Sequence, residues 1–298
     1  MTIRLIHLTD PHLTSLDRPG KTTGIGKRAL GALSWWRKRR HQHRPERLAL
    51  TVAAIAAERP DAILVGGDLC QIGRAAEIAA ARDWLEALSE HAPVLLVPGN
   101  HDIYQRDSIA PVLTAWRPWL GLHPTSADDD PLAPYPVEWR MPGVTVIGLN
   151  SAVPTAIGSA RGRLGAGQIT RLDRMLAAAD RRADRVCVLI HHPPAPGLCH
   201  WRKALADAGR LTAVLLRHRV DFVLHGHLHD NRAAIVSGLR VFGTASASGC
   251  LPAEPASYRV FDLAVAPELP ITMRLRQHRA EYGFVTLAEE HWLAAGSD

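Results

Sequence analysis

Short apolar runs alternate with longer segments of helical periodicity, and this rhythm restricts the fold more than any other feature of the sequence. The strand-like runs cover residues 3–8, 61–67, 94–100, 143–150, 185–194 and 220–227. The helix-length segments cover residues 44–60, 74–91, 166–180 and 202–218. Parallel strands need long crossover connections, which helices commonly provide. The order therefore predicts an α/β domain in which helices cover the sheet that the strands form.

The C-terminal part lacks this alternation. Strand-like pieces at residues 232–248, 257–265, 271–278 and 282–287 follow one another with few helical patterns between them. They predict antiparallel strands that complete a second sheet. Since there is no internal repeat, low-complexity tract or Gly/Ser-rich linker, the sequence predicts one domain over residues 1–298, with a basic helical insert at about 21–47.

Composition is that of an ordinary globular protein. The 298 residues are 47% hydrophobic and 21% charged, which allows a substantial core. No run of about 18 apolar residues is present and the N-terminus lacks a secretory pattern, so a cytoplasmic protein is expected. The four cysteines are scattered without a C-x-x-C pair. This spacing predicts reduced thiols rather than a disulfide framework or a cysteine zinc site.

Polar side chains gather where the strand-like runs end. The residues at these positions are Asp10 and His12, Asp68, Asn100, His101 and Asp102, His191 and His192, and His225, His227 and His229. In open α/β sheets, ligands bind outside the carboxyl ends of the strands. A single polar residue after a strand is usually structural. Five such groups in succession predict one shared crevice, provided that the strands are neighbours.

The chemistry of this set indicates divalent metal ions. It combines carboxylates, imidazoles and an amide without a thiolate motif, which suits ions of the manganese, iron, cobalt or zinc type. It contains too many nitrogen ligands for a dedicated calcium or magnesium site. The candidates suffice for two ions, and pairs of ions about 3.5–4 Å apart are the usual arrangement in phosphoryl chemistry.

Taken together, the motifs resemble those of the calcineurin-like metallophosphoesterases. They are Asp10-Pro11-His12, Gly67-Asp68, Gly99-Asn100-His101-Asp102, His191 and Gly226-His227-Leu228-His229. All are intact, and they span about three quarters of the chain. The sequence HHPP at 191–194 and the segment GRLGAGQITRLDRML at 162–176 also look like the branch that contains the class III cyclic-nucleotide phosphodiesterases.

The resemblance implies two mixed β-sheets packed face to face with flanking helices, and a hydrolase that uses two divalent metal ions. It implies that the first ion is held by Asp10, His12, Asp68 and His229, and the second by Asp68, Asn100, His191 and His227. Asp68 would bridge the two ions. His101 would protonate the leaving oxygen or stabilise its charge, and Asp102 would orient neighbouring groups. Hydroxide held by the metals would attack the phosphorus of a phosphodiester without a covalent intermediate.

Residues 27–48 form a basic segment that contains two adjacent tryptophans. Between residues 21 and 47 there are nine lysines and arginines and one acidic residue, a net charge of +8 in a chain whose total is +6. Helical spacing of the apolar residues predicts a helix whose contact residues are Trp35, Trp36, Arg37, Lys38, Arg39 and Arg40. Such a segment suits a membrane interface with anionic lipids, and it also suits single-stranded nucleic acid. The plainer alternative is a solvated helix whose tryptophans pack on the domain or in a dimer contact.

The leading functional interpretation is a dinuclear phosphodiesterase that acts on a cyclic nucleotide or a similar diester. One alternative is a peripheral membrane pyrophosphohydrolase of the UDP-2,3-diacylglucosamine type, because such relatives carry basic, apolar elements beside the metal site. A nuclease is a second alternative. A non-catalytic scaffold is disfavoured because it has no physical reason to bury so many polar groups. Arg161 and Arg163 are candidates for a phosphate contact, and His225 is expected not to bind metal because it falls outside the motif.

Overall fold

The secondary structure follows the predicted order closely. The computed structural model describes residues 1–13, 26–122, 135–178, 185–264 and 269–293, so residues 21–25 of the predicted insert lie outside it. The helices in these ranges are α1 (Lys27–Arg37), α2 (Pro45–Glu58), α3 (Ala75–Ser89), α4 (Arg106–Ala115), α5 (Ala166–Ala178) and α6 (Ala208–Arg217). The strands are β1 (Thr2–Leu8), β2 (Ala62–Val65), β3 (Val94–Leu96), β4 (Val137–Met141), β5 (Val144–Leu149), β6 (Arg185–Ile190), β7 (Phe222–His225), β8 (Ala233–Val236), β9 (Leu239–Gly243), β10 (Cys250–Leu251), β11 (Glu254–Pro255), β12 (Ser257–Ala264), β13 (Ile271–Arg279) and β14 (Gly283–Trp292).

Two six-stranded mixed sheets form the centre of the fold, as predicted. The first has the strand order β14-β13-β12-β1-β2-β3, and the second has the order β4-β5-β6-β7-β9-β8. Strands β1, β2 and β3 are parallel, and so are β5, β6, β7 and β9. The remaining strands pair antiparallel at the outer parts of each sheet, and β10 and β11 form a separate hairpin.

Alternate residues of the central strands serve two different hydrophobic layers. In β1, Leu5 packs in the core between the two sheets, whereas Ile6 packs against the helices outside the first sheet. In β6, Leu189 joins the same inter-sheet core, whereas Val188 packs against α5 and α6 outside the second sheet. Because successive side chains of a strand point to opposite faces, a strand buried on both sides has an almost continuous apolar sequence.

Local signals explain how α2 and α3 begin. Pro45 occupies the first turn of α2, where the missing N–H group costs no hydrogen bond. The carboxylate of Glu77 in α3 accepts the backbone N–H group of Arg74 at 3.0 Å. It also accepts the N–H groups of Gln71 and Ile72, at 2.9 and 3.2 Å. Glu77 therefore caps α3 and fixes the loop that follows β2, which belongs to the site described below.

The C-terminal strands are distributed differently from the prediction. Only β8 and β9 join the second sheet, whereas β12, β13 and β14 extend the first sheet outward from β1. The sequence pattern identified the strands correctly but not their partner, because alternation of side chains does not encode which open edge a strand will join. Strand β12 pairs with residues 2–7 of β1, which places the N-terminal strand inside the sheet.

Two further predictions concern the membrane and the cysteines. Among the described residues, no helix combines the length and the apolar character needed to cross a bilayer. All four cysteines are free thiols, as their spacing predicted.

Candidate metal centre

The polar residues at the strand ends meet in one crevice, and both sheets contribute to it. The N–H group of Asp10, after β1, donates to the carbonyl of Gly67, after β2, at 2.9 Å. The Nδ1 atom of His191, after β6 of the second sheet, lies 2.7 Å from the carbonyl of Gly66, which follows β2 of the first sheet. The N–H group of His227, after β7, donates to Asp10 Oδ2 at 3.0 Å. The expected convergence is therefore present, but it joins two packed sheets rather than neighbours within one.

Asp68 lies at the centre of the crevice. It belongs to two groups of residues whose ligand atoms approach one another within 4.8 Å, one with Asp10 and His12 and one with His191 and His227. Asp68 is 1% exposed, and its Oδ1 accepts the N–H group of His101 at 2.7 Å. A single carboxylate shared between two groups of potential ligands is the arrangement that a bridged pair of ions requires.

The donor atoms around Asp10 and His12 fit a cation. His12 Nδ1 lies 3.0 Å from the carbonyl of Cys70, so this nitrogen carries the proton and Nε2 holds a lone pair. That Nε2 faces His229 Nε2 at 3.3 Å, and His229 Nε2 faces Asp10 Oδ1 at 3.1 Å. Burial holds the pKa of His12 well below its usual value, and nearby His43 and Arg39 lower it further. Converging lone pairs and a carboxylate are stabilised when a metal ion takes the place of protons.

The second group of donors fits a cation for the same reason. Among the described residues, the Nε2 atom of His227 is buried and has no hydrogen-bond partner. His191 Nε2 lies 3.3 Å from Asp68 Oδ2 and 3.2 Å from Asn100 Oδ1. Burial alone would lower the pKa of His191, but the carboxylate of Asp68 outweighs it and raises this pKa to about 9. The electrostatic field at this point therefore favours a positive charge.

The backbone is strained at most of these positions. Of the eight non-glycine residues with positive φ in the described ranges, five are candidate ligands, and they are Asp10, His12, Asp68, His227 and His229. Residues other than glycine seldom adopt this left-handed conformation, because Cβ crowds the backbone. Strain of this kind persists where the surrounding structure holds functional side chains in place.

The two histidines of the HHPP sequence have different environments. His192 Nδ1 contacts the hydroxyl of Ser151 at 2.7 Å, and its Nε2 lies 3.1 Å from the carbonyl of Ala160. Both nitrogens of His192 are therefore engaged, whereas His191 directs Nε2 toward Asp68 and Asn100. The geometry agrees with the expectation that His191 is the better ligand.

His101 faces the crevice together with Arg39, which the sequence had suggested as a membrane contact. His101 Nδ1 lies 2.5 Å from the carbonyl of Gln71, and an N–H group of Arg39 donates to His101 Nε2 at 3.0 Å. Burial lowers the pKa of His101 to about 4, with Asp68 opposing and Arg39 reinforcing the effect. In this arrangement Nε2 of His101 accepts a hydrogen bond and has no proton to give. The positive charge beside it belongs to Arg39.

Asp102 holds the loops rather than facing the crevice. Its carboxylate accepts the N–H groups of Asp68 and Gly99, both at 2.8 Å, and that of Cys70 at 2.9 Å. The side chain is fully buried. These bonds tie the end of β2 to the end of β3, which supports the expectation that Asp102 orients its neighbours.

Position 226 has no room for a side chain, so glycine is required there. A Cβ atom at this position would overlap Thr9 Oγ1 and come within 2.5 Å of Asp10 Oδ2. The backbone of the loop after β7 therefore approaches the carboxylate of Asp10 closely, and only glycine permits the approach.

The structure corrects part of the prediction for the basic insert. Trp35 is only 5% exposed and stacks parallel to the ring of His43, with centroids 6.2 Å apart. Arg39 donates to Gln71 Oε1 as well as to His101. Both side chains are turned inward. Trp35 lies on the face of helix α1 that docks on the crevice, and Arg39, in the turn after α1, is held there by Gln71 and His101. The remaining predicted contacts are exposed or partly exposed, and they are Trp36, Arg37, Lys38 and Arg40.

Arg161 and Arg163 do not face the crevice. Both are exposed, and neither lines the adjoining cavity. Their loop is fixed instead by backbone bonds, including that from the N–H group of Arg163 to the carbonyl of Ser151 at 3.0 Å. The candidate phosphate contact that sequence reasoning missed is Arg39. Its position within the run RKRR at 37–40 concealed it, because four consecutive cations suggest a solvated surface.

Comparison with known proteins identifies the family. The family model of the calcineurin-like phosphoesterases matches residues 3–231. The chain belongs to the calcineurin-like phosphoesterases. It is 29% identical over 232 residues to a probable cyclic nucleotide phosphodiesterase of Synechococcus sp., with 76% of each chain covered. It is 34% identical over 139 residues to a glycerophosphodiester phosphodiesterase of Enterobacter lignolyticus, with 47% of this chain and 44% of that one covered.

The solved structures agree on the fold. A dimetal phosphatase from Danio rerio superposes with a TM-score of 0.66 at 15% identity, covering 98% of this chain and 99% of that one. The predicted family, its phosphodiesterase branch and its fold are thus confirmed. This phosphoesterase is a hydrolase of phosphate esters with two divalent metal ions, for which the crevice holds a matching set of ligands.

A cavity of about 670 Å³ opens beside the crevice of the phosphoesterase. Its cationic lining residues are Lys27, Arg39, Arg202 and Lys203, and Tyr104 and Ile157 contribute apolar surface. Helix α1 of the insert therefore forms one wall of the cavity, next to Asn100 and His101. The insert shapes the space in which a substrate would lie.

The three histidines at the end of β7 and directly after it, His225, His227 and His229, should differ in their effect on the metal centre. Replacing His227 or His229 with alanine should lower metal-dependent hydrolysis by more than about 100-fold, and His225→Ala by less than about tenfold. The physical reason is that His225 is buried with Nδ1 toward the carbonyl of Gly226 and belongs to none of the ligand groups. Bound metal per folded protein, measured by elemental analysis beside the rate, checks the ranking. Equal losses in all three variants would contradict it.

Proposed function

We propose that this phosphoesterase is a phosphodiesterase whose two ions are held in the manner that the resemblance implied. The first ion lies among Asp10, His12, Asp68 and His229, and the second among Asp68, Asn100, His191 and His227. The observation that carries this assignment is the membership of Asp68 in both groups of converging ligand atoms. Manganese or iron is the proposed metal, because the ligands mix imidazole with carboxylate. The whole chain, residues 1–298, acts in this proposal as one catalytic domain.

The bound ions supply an activated water and stabilise charge on the phosphoryl oxygens. The protein's own part is to hold the ester and to balance charge at the leaving oxygen. Arg39 provides a fixed positive charge there, because Gln71 and His101 hold its guanidinium in place. His101 orients Arg39 by accepting its hydrogen bond, and Asp102 keeps the loops that carry Asp68 and Gly99 together. Positioned charge of this kind is the main requirement of phosphoryl transfer.

The size and charge of the cavity support a small phosphodiester as the substrate. A volume of about 670 Å³ falls within the range of about 300–1,000 Å³ that is usual for pockets that bind small molecules. Tyr104 offers an aromatic edge and Lys27, Arg202 and Lys203 offer positive charge for a second anionic or polar group. A relative named as a probable cyclic nucleotide phosphodiesterase favours cyclic nucleotides within this class.

A substrate panel on the manganese-loaded protein tests the proposal. We expect hydrolysis of 3′,5′-cyclic nucleotides and of bis(4-nitrophenyl) phosphate, with 4-nitrophenyl phosphate and 5′-AMP as the matched monoesters. A diester should exceed its monoester in kcat/KM by at least about tenfold, which corresponds to about 1.4 kcal/mol. Hydrolysis of monoesters alone would contradict the proposal. Preferential hydrolysis of single-stranded DNA would instead favour the nuclease that the basic insert suggested.

A lipid phosphate ester is the second candidate substrate, and the mouth of the cavity supports it. Leu30 and Ile157, which line the cavity, are 51% and 61% exposed, and Trp201, next to the lining residue Arg202, is 61% exposed. Apolar side chains beside cations suit the boundary of an anionic bilayer. In this second proposal the protein lies in the cytoplasm, with the cavity mouth toward the inner leaflet.

Binding to vesicles tests the lipid candidate. The double substitution Leu30→Ser and Trp201→Ser should lower the bound fraction on anionic phosphatidylglycerol vesicles by about tenfold or more, because two apolar side chains no longer enter the bilayer. Tyr282→Ser is the matched control, because Tyr282 is 75% exposed in the β13–β14 turn and does not line the cavity. Equal binding of the double variant and the unmodified protein would exclude this surface as a membrane contact.

A further inference from the structure

His43, in the insert between the first two motifs, lies against the candidate ligands of the first ion. Its ring centroid is 4.5 Å from that of His12 and 5.3 Å from that of His229. One ligand nitrogen from each of these three histidines lies within 4.8 Å of the other two. His43 is 4% exposed, and within the described chain its Nε2 atom is buried without a hydrogen-bond partner.

The hydrogen bonds of His43 determine which nitrogen carries the proton. Its Nδ1 lies 2.9 Å from Ser248 Oγ and 3.2 Å from Ser246 Oγ. The hydroxyl of Ser246 donates its proton to the carbonyl of Asp10 at 2.6 Å, so it can only accept from the imidazole. Nδ1 of His43 is therefore the protonated nitrogen, and Nε2 holds a lone pair. Ligating histidines are usually fixed in this way, by a hydrogen bond from the nitrogen that does not bind the metal.

Backbone contacts keep His43 in this place. His43 forms an antiparallel bridge with Gly249. On either side, the N–H group of Arg44 donates to the carbonyl of Ser248 at 3.1 Å, and that of Cys250 donates to the carbonyl of Gln42 at 3.0 Å. Trp35 then covers one face of the imidazole. The ring is thus held by the segment that precedes β10 and by helix α1, rather than by the strands that carry the family motifs.

We propose that His43 is an additional ligand of the metal ion held by Asp10, His12, Asp68 and His229. The inference rests on the metal centre of the proposed function and extends it, because it makes the insert part of that centre. An imidazole with a free lone pair adds a ligand without adding charge. Five protein ligands on one ion suit metals that accept more than four ligands, such as manganese or iron, better than zinc in a four-coordinate site.

Titration of chelator-treated protein with Mn²⁺ alone tests the role of His43. In a calorimetric titration, His43→Gln should weaken one of the two manganese sites by about tenfold or more and leave the other unchanged. With Co²⁺ as the probe, the visible absorption of the same site should change, because the bands report the number and arrangement of ligands. His41→Gln, an exposed histidine of the same insert, should leave both measurements unchanged.

A second variant distinguishes the loss of a metal ligand from a loss of metal affinity caused by misfolding. Ser248→Ala removes the hydroxyl nearest Nδ1 while leaving the imidazole, and it should weaken the same site to a smaller extent. Native affinity at both sites and a native Co²⁺ spectrum in folded His43→Gln would overturn the inference while leaving the two-metal phosphodiesterase intact. A folded, unmodified protein that binds no manganese would overturn both.

Discussion

Removal of the metal ions with a chelator should lower hydrolysis of bis(4-nitrophenyl) phosphate by more than about 1,000-fold, that is, by at least about 4 kcal/mol of transition-state stabilisation. The physical reason is that, in the proposed mechanism, the bound ions supply the hydroxide at neutral pH. The carboxylates and imidazoles of the crevice face one another and are arranged as ligands. The rate before chelation, after chelation and after addition of Mn²⁺ measures the effect. We expect Mn²⁺ to restore the activity.

Asp68→Asn separates this effect from general damage to the protein. Because Asp68 belongs to both ligand groups, the variant should fail to regain activity with Mn²⁺ and should bind fewer than two ions. Asp83→Asn is the matched control, since the side chain of Asp83 is 65% exposed on α3 and pairs only with Arg82 among the described ion pairs. Full hydrolysis by metal-free protein would refute the two-metal mechanism.

Arg39→Ala should lower kcat for the same diester by about 100-fold or more, with a smaller change in KM. The guanidinium lies beside His101 and Gln71 at the wall of the cavity. In the proposed mechanism it would face the charge that develops on the leaving oxygen. An interaction that strengthens in the transition state affects kcat more than ground-state binding. Arg39→Lys should retain part of the rate, because the charge remains and the planar donor geometry is lost.

Arg40→Ala is the control for the prediction on Arg39. Arg40 follows Arg39 directly, but it is exposed and stacks on Trp36 at 4.6 Å. Arg40→Ala should keep the kcat of the unmodified protein. If removal of any positive charge from the insert lowered the rate, both variants would lose kcat equally. A native kcat in Arg39→Ala would show that this arginine takes no part in the reaction.

The ligands at the strand ends could be predicted from the sequence for a structural reason. Residues such as Asp10 and Asp68 follow buried parallel strands, and parallel strands in one sheet end at the same edge. Their place in space therefore follows from their place in the chain. The sheet that each C-terminal strand joins, and the packing of one sheet on the other, could not be predicted in this way. The edge that β12 joins, and the packing of the second sheet that brings His191 to Asp68, depend on contacts between segments far apart in the sequence.

The insert shows the limit of the sequence most clearly. Its charge and tryptophans predicted a helix and left open whether the tryptophans face outward or pack on the domain; α1 is indeed a helix. Arg28 pairs with Asp107 at 2.6 Å, and Ala32 packs with Ile72 and Tyr104, so the helix docks on the loops after β2 and β3. This docking turns Trp35 inward. A pattern of charges describes a helix surface but not the surface to which the helix binds.

By itself, the sequence determined the α/β order, the family motifs and the candidate ligands, because each depends on residues close together in the chain. Only the tertiary structure placed Arg39 and His43 beside the candidate metal ligands. Their positions are set by pairing of the insert with residues 248–250 and by its packing on α4 and the loop of Gln71. Such long-range contacts have no local signature, because any exposed basic segment of similar composition would have the same pattern.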